Sequence, residues 1–302
     1  MNRLCLLIVF VCVHFSSFAI GGRHGNPYKT KKKWSNSYKI NRSNWEIGLA
    51  SGLTQYVGEL STTIPHPKTW KPYYGLSSRF TLNPYWSLRF IATNGAIAGD
   101  DALSKGFAHQ QRNLSFKTDL FESSLQFDWN ILGFEPINKQ KPFTPFLFAG
   151  ISYYHFNPKA LYQGVWYELQ PLGTEGQGIP GYGPKYKLNQ ISIPFGGGIK
   201  YGLRLGDGNY ITLTAEMSMH KTFTDYLDDV SGGYLPLKYL AQNNGPMAAE
   251  LSIRADEYYK LPVDYTFDST RGNPKTKDWY VYSGITIAYI LYKKEYFYDF
   301  AN

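Results

Sequence analysis

The chain has 302 residues, 17% of them aromatic, and a formal charge of +8 at pH 7. Its 26 Tyr and 19 Phe are more than a soluble α/β enzyme ordinarily needs, whereas a membrane barrel uses aromatic girdles at both interfaces. The two cysteines, Cys5 and Cys12, both lie near the start, which excludes a disulfide framework, a thiolate nucleophile and Cys-ligated zinc from the remainder.

The first segment, residues 1–19, reads as a secretory signal peptide. Arg3 supplies the positive start, residues 4–15 form an almost unbroken apolar run, and Ser17 and Ala19 place small residues before a cleavage point after Ala19. The apolar run is shorter than the ~20 residues that a spanning helix requires. Cys12 lacks the small-residue context of a lipoprotein cleavage site. Residues 20–44 then form a basic arm with Arg23, Lys29, Lys31, Lys32, Lys33, Lys39 and Arg42 and no acid. Such a composition favours an extended or disordered chain. Lys29, Lys31, Lys32 and Lys33 are the candidate contacts with anionic lipid headgroups or an acidic protein surface, although a solvated leader accounts for them equally well. Nucleic acid is not an expected partner for an exported chain.

From Trp45 the pattern changes to period two, the signature of strands with one apolar and one polar face. Trp45, Ile47, Leu49 and Leu53 oppose Glu46, Gly48, Ala50 and Gly52. Tyr74, Leu76, Phe80 and Leu82 oppose Gly75, Ser77, Arg79 and Thr81, and Trp86, Leu88 and Phe90 oppose Ser87 and Arg89. Phe121, Leu125, Phe127 and Trp129 oppose Glu122, Ser124, Gln126, Asp128 and Asn130. Residues 143–156 read as a strand of ambiguous facing. Ile191, Ile193, Ile199 and Tyr201 oppose Ser192, Gly196, Gly198, Lys200 and Arg204, with Pro194 expected at a bulge or near the strand start. Ile211, Leu213 and Met217 oppose Thr212, Thr214, Glu216 and Ser218. Val281, Ile285, Ile287 and Tyr289 oppose Gly284, Thr286 and Ala288 in the last strand. The expected fold is therefore all-β: an eight-stranded antiparallel transmembrane β-barrel over residues 45–292, with long external loops and a tail at 293–302.

The connections alternate strictly between short and long. Asn83 and Pro84 join the second strand to the third, residues 131–142 join the fourth to the fifth, and the step Gly206, Asp207, Gly208 turns the sixth into the seventh. The other four connections, about 58–71, 99–115, 157–189 and 221–278, are long. Outer-membrane barrels put short turns on the periplasmic side and long loops outside. The polar face carries Glu46, Glu122, Asp128 and Glu216 against Arg79, Arg89, Lys200 and Arg204, and an eight-stranded barrel has only enough interior for side chains. Buried charges must pair, so these eight are expected to form a lumen network that plugs the barrel.

Motifs for chemistry are weak. The glycines at 196–198 and 206–208 lack the Lys-Ser/Thr and helix of a phosphate loop. Asp225, Asp228 and Asp229 match no EF-hand spacing and are expected in a solvated loop or helix cap, as are Asp100 and Asp101. His155 and His220 are expected to be structural. No catalytic residue, metal ligand or cofactor-binding residue is assigned, and a short helix is expected between Asn244 and Tyr259.

Several segments carry a family likeness: "WEIGLASGLTQYVGEL", "GDD" at 99–101, "RNLSFKTDLFE", "FTPFLFAGISYYHFNPKA", "LQPLGTEGQG", "QISIPFGGGIKYGL", "TDYLDDVSGGY" and "RGNPKTKDWYVYSGI". Together they resemble the PorG-like family of outer-membrane β-barrels of the type IX (Por) secretion system. The resemblance implies a non-enzymatic barrel in the outer membrane, associated with a periplasmic ring of PorK and PorN and serving protein export and, in some species, gliding. It supplies no catalytic residues. An outer-membrane enzyme acting on lipid or protein, and a surface adhesin or ligand-binding barrel, are the other classes open to this sequence.

Overall fold

The structure, a computed structural model, describes residues 38–61, 66–137, 141–205, 209–261 and 270–296, with side chains from 45 to 291. The signal peptide and Lys29, Lys31, Lys32 and Lys33 lie outside the described residues, as does the turn at 206–208. The chain divides into two compact units, and residues 40–295 make up the one that carries the barrel.

Alternating side chains build a closed sheet. The strands are β1 (Tyr38–Val57), β2 (Lys71–Asn83), β3 (Trp86–Asp100), β4 (Ser115–Asn130), β5 (Phe143–Tyr162), β6 (Val165–Glu168), β7 (Asn189–Arg204), β8 (Tyr210–Thr222) and β9 (Trp279–Tyr296). Neighbours pair antiparallel in the order β4, β3, β2, β1, β9, β8, β7, β5, and β4 pairs with β5 to close the ring. The eight-stranded barrel is thus confirmed; β6 adds only a short hairpin to the end of β5. Strand β1 starts earlier than Trp45 and β9 runs past residue 292, so the ladder takes in the end of the expected arm and the start of the expected tail.

Facing follows the period-two pattern. Ile47, Leu49, Leu76, Leu125, Leu147, Ile151, Ile199, Ile285 and Ile287 point outward and are exposed, forming the apolar belt that a bilayer covers. Trp86 stacks on Phe127 and Trp129 at centroid distances of 4.9 and 6.1 Å, near the short-turn end of that belt. The ambiguous strand β5 turns Thr144, Phe146, Phe148, Ser152, Tyr154 and Phe156 inward, which puts aromatics on the same face as the polar residues of β4. Small residues make room for them: a Cβ on Gly284 would collide with the Tyr73 hydroxyl, so the glycine leaves the space that the Tyr73 ring fills.

Pro194 is sixth in β7, and no bulge accompanies it. The β5–β7 register is the same on both sides, Ala149 opposite Phe195 and Ser152 opposite Ser192, while pairing lapses between them. The ladder on the other side continues through Pro194 opposite His220. The missing N–H therefore costs one interruption toward β5 without shifting any side chain to the other face.

Both ends of the barrel are covered by chain. At the short-turn end, residues 131–137 fold across the opening, with Phe134 buried and its N–H donating to the Pro84 carbonyl at 2.7 Å. Gly202 is required there because a Cβ would overlap Pro136. At the long-loop end, the expected single helix is two, Pro246–Ser252 and Ala255–Tyr259, preceded by a third at Leu237–Asn244. The break comes where Ile253 turns extended and buries beside Tyr234 and Ala255.

Candidate functional site

The lumen charges converge on Asp128 of β4. Its carboxylate lies 3.2 Å from Arg79 Nε, 3.5 Å from Arg89 Nε and 2.8 Å from Lys200 Nζ, all of them buried. Arg79 also meets Glu46 at 2.9 Å, and Arg89 meets Glu216 at 2.5 Å. Arg79 and Arg89 face each other directly across the β2–β3 ladder. Like charges so placed repel unless an anion sits between them, which is the role of Asp128. Lys200 also lies 4.1 Å from the Phe146 ring centroid and Arg89 4.9 Å from that of Phe148, so the aromatics of β5 complete the packing around the cations.

One expected member is absent. Arg204, the last residue of β7, is exposed rather than turned into the lumen, because the strand ends there and the long side chain reaches water. The carboxylate left over, Glu122, instead lies 3.2 Å from His220 Nδ1 and accepts the Tyr280 hydroxyl at 2.6 Å. His220 stacks on Tyr280 and meets Tyr282 edge-on, with centroids at 4.6 and 5.0 Å. Its Nε2 is 2.9 Å from Ser218 Oγ. The order Ser218, His220, Glu122 is that of a nucleophile, base and acid, but His220 Nδ1 is off the line of a hydrogen bond. All three side chains are enclosed within the barrel, so we read them as a structural interior cluster. His155 stands at the other extreme, exposed and 3.0 Å from Asn189 Oδ1.

The long loops close the opposite mouth. Residues 226–230 enter it, placing Leu227 and Val230 in a cluster with Tyr56, Phe116, Leu120, Tyr154 and Phe156. The Thr118 hydroxyl donates to the Leu227 carbonyl at 2.5 Å. Asp225, Asp228 and Asp229, expected in a solvated loop or cap, are all buried. Asp229 accepts from Thr174 and, at 2.7 Å, from the Tyr186 hydroxyl, while Asp228 and Asp278 both lie 2.6 Å from the Tyr56 hydroxyl. Burial pushes the carboxyls of Asp228 and Asp278 well above the ordinary range; Asp228 raises Asp278 further, and Glu59 adds to the rise of both. Arg271 ties Glu175 at 2.9 Å to the Asp229 carbonyl, and Glu175 accepts the Ser231 and Gly232 N–H groups at 2.8 and 3.0 Å. Asp101 is likewise buried, not solvated, and holds Arg112 at 2.7 Å; Arg112 reaches on to the carbonyls of Arg271 and Glu59. Asp100 does act as a cap, accepting the Ala102 N–H at 3.0 Å. Four loops are thereby joined into one crown.

Two cavities lie toward the ends of the barrel. One cavity of about 240 Å³ at the short-turn end is bordered by Glu46, Leu82, Pro84, Phe134, Pro136 and Ile290. Another of about 300 Å³ in the crown is bordered by Glu175, Gln177, Tyr182, Tyr226, Tyr234 and Leu235.

The family model for a domain of unknown function, DUF6089, matches residues 34–241. The chain belongs to that family. The match covers eight of the nine strands, β1 to β8, and stops before Arg271, Asp278 and β9 of this DUF6089 protein. None of the curated proteins matches it. Among solved structures it is similar to the N-terminal β-barrel domain of Pseudomonas aeruginosa OprF, with 10% identity over 82% of this chain and 99% of that one and a TM-score of 0.33. Neisserial surface protein A is similar at 9% identity, 83% and 99% coverage and a TM-score of 0.39. OprG from Pseudomonas aeruginosa is similar at 10% identity, 83% and 98% coverage and a TM-score of 0.34.

Proposed function

We propose that this protein is a non-enzymatic barrel of the outer membrane, exported by a cleaved signal peptide, that serves as a scaffold in type IX protein secretion and, in some species, gliding. The carrying observation is a lumen filled by paired charges and aromatics and covered at both ends by folded chain, which suits a scaffold and not a pore. The apolar outer belt supports residence in a membrane. The type IX assignment rests on the sequence resemblance to PorG-like barrels. Its partners are outer-membrane lipids and a periplasmic ring of PorK/PorN-like proteins. An even-stranded barrel with short periplasmic turns has both termini on the ring side, and in this reading Lys29, Lys31, Lys32 and Lys33 supply the charge that captures an acidic surface.

Affinity purification of the intact protein from mild detergent tests this reading. Ring proteins are expected to co-purify, and less so as salt shortens the Debye length below its physiological ~8 Å. Replacing the four lysines with Ser should leave the barrel folded and reduce that recovery. If ring proteins are never recovered with the unaltered protein, the secretion assignment fails.

The Ser218, His220, Glu122 arrangement favours a second reading, an outer-membrane hydrolase. A fluorophosphonate probe that labelled Ser218 in the folded protein would support it; no labelling is expected.

A further inference from the structure

Three carboxylates meet at the rim where β1, β8 and β9 leave the barrel. Glu59 follows β1, Asp225 follows β8, and Asp278 precedes β9. One carboxylate oxygen from each lies within 4.8 Å of those of the other two. Residues remote in sequence are brought together because the three strands are neighbours in the ring.

The pairing of charges sets this cluster apart. In the lumen the carboxylates of Glu46, Glu122, Asp128 and Glu216 each have a basic side chain beside them. Glu59, Asp225 and Asp278 form no ion pair among the described residues, and the nearby Arg112 is already held by Asp101. The Glu59 carboxylate accepts the neutral Thr276 hydroxyl at 2.9 Å. Asp278 is bonded to the Tyr56 hydroxyl and the Leu227 N–H. Asp225 is the decisive residue. It is 2% exposed, and neither of its carboxylate oxygens has a hydrogen-bond partner. A buried carboxylate aimed at two others, with nothing to satisfy it, calls for a cation or a proton.

We propose that Glu59, Asp225 and Asp278 bind a divalent cation, with calcium the matching ion, and so pin the long loop of residues 223–278 to the barrel rim. The donors are all hard oxygens, which suit calcium and magnesium and not a soft metal. Of the two, calcium accepts irregular carboxylate geometry with about six to eight oxygens, whereas magnesium demands a near-ideal octahedron and gives up its waters reluctantly. Half-buried Glu59 gives the ion a path from solvent.

The test uses the full exported chain folded in detergent micelles, with terbium as a luminescent calcium substitute excited through tyrosine. Tyr56, bonded directly to Asp278, is a donor at the site. Saturable luminescence at one ion per chain is expected, displaced by calcium at lower concentration than by magnesium. Asp225→Asn removes the charge of one ligand but no hydrogen bond of the fold, and should weaken binding on the order of tenfold or more. Glu59→Gln should do the same, and Asp119→Asn on the outer wall should not. Calcium should slow proteolysis within residues 223–278 of the unaltered protein only. Absence of saturable binding at millimolar calcium, or binding undiminished in both ligand variants with the barrel intact by gel mobility, would overturn the proposal and leave a proton-sharing cluster.

Discussion

Asp128 shows how much one residue can carry in a narrow lumen. Arg79, Arg89 and Lys200 all depend on it, and two of them are forced opposite each other by the strand register. Asp128→Asn, or Arg89→Met with Glu216 left unpaired, is expected to lower stability by about 3–5 kcal/mol, the cost of breaking a buried pair. Arg204→Met is expected to stay within about 0.5 kcal/mol because that side chain is exposed. Urea midpoints in lipid vesicles would measure all three, and equal values for Arg89→Met and Arg204→Met would refute the network. Asp229 gives a pH signature in the crown. Burial holds its carboxyl up at about 6, while Arg271, Thr174 and Tyr186 pull the other way and Glu175 adds to the rise. The unfolded value is about 3.9, so between about pH 4 and pH 6 the folded crown binds a proton that the unfolded chain lacks, and stability increases as pH falls through this window. Amide-exchange protection of residues 226–232, corrected for intrinsic rates, should be greater at pH 5 than at pH 7. Asp229→Asn tolerates the positive φ of 65° at this position and should flatten the difference.

At the scale of elements, the loop finger at residues 226–230 works as a stopper. Leu227 has no exposed surface, and its backbone is gripped from both sides, the N–H by Asp278 and the carbonyl by Thr118. Leu227→Ala should therefore cost about 2–5 kcal/mol of local stability, as large-to-small changes in a packed core do. The effect should concentrate in exchange of residues 223–232 and spare the strand ladder. Uniform loss across all eight strands would show instead that crown and barrel unfold as one unit. The segment at 131–137 is the counterpart at the other end, where Phe134 and Pro136 cover the opening.

For the whole molecule, a closed ladder without free edges predicts high kinetic resistance to unfolding. Unheated protein should migrate differently from boiled protein on a semi-native gel, and identical migration would count against an integral barrel. In planar bilayers the unaltered protein should show no steady conductance, because paired charges, rings and loop finger occupy the lumen in series. A large, stable open channel would remove the basis for the scaffold reading.

Strand positions, the facing of every strand but β5 and the short–long alternation of loops were legible in the sequence because a barrel wall is a local pattern: successive residues see lipid and lumen in turn, and only β5, with aromatics on both faces, hides it. Seven of the eight expected lumen charges were legible for the same reason, and Arg204 was not, since period two says nothing about where a strand ends. The partner of Glu122 could not be read from the sequence, nor could the seclusion of Asp225, Asp228 and Asp229. Each depends on contacts between segments far apart in the chain: His220 across the lumen, Tyr56 and Asp278 at the rim, Arg271 and Thr174 in the crown. Local sequence set which face a residue took; the closure of the ring, which makes β1, β8 and β9 neighbours, decided what it met there.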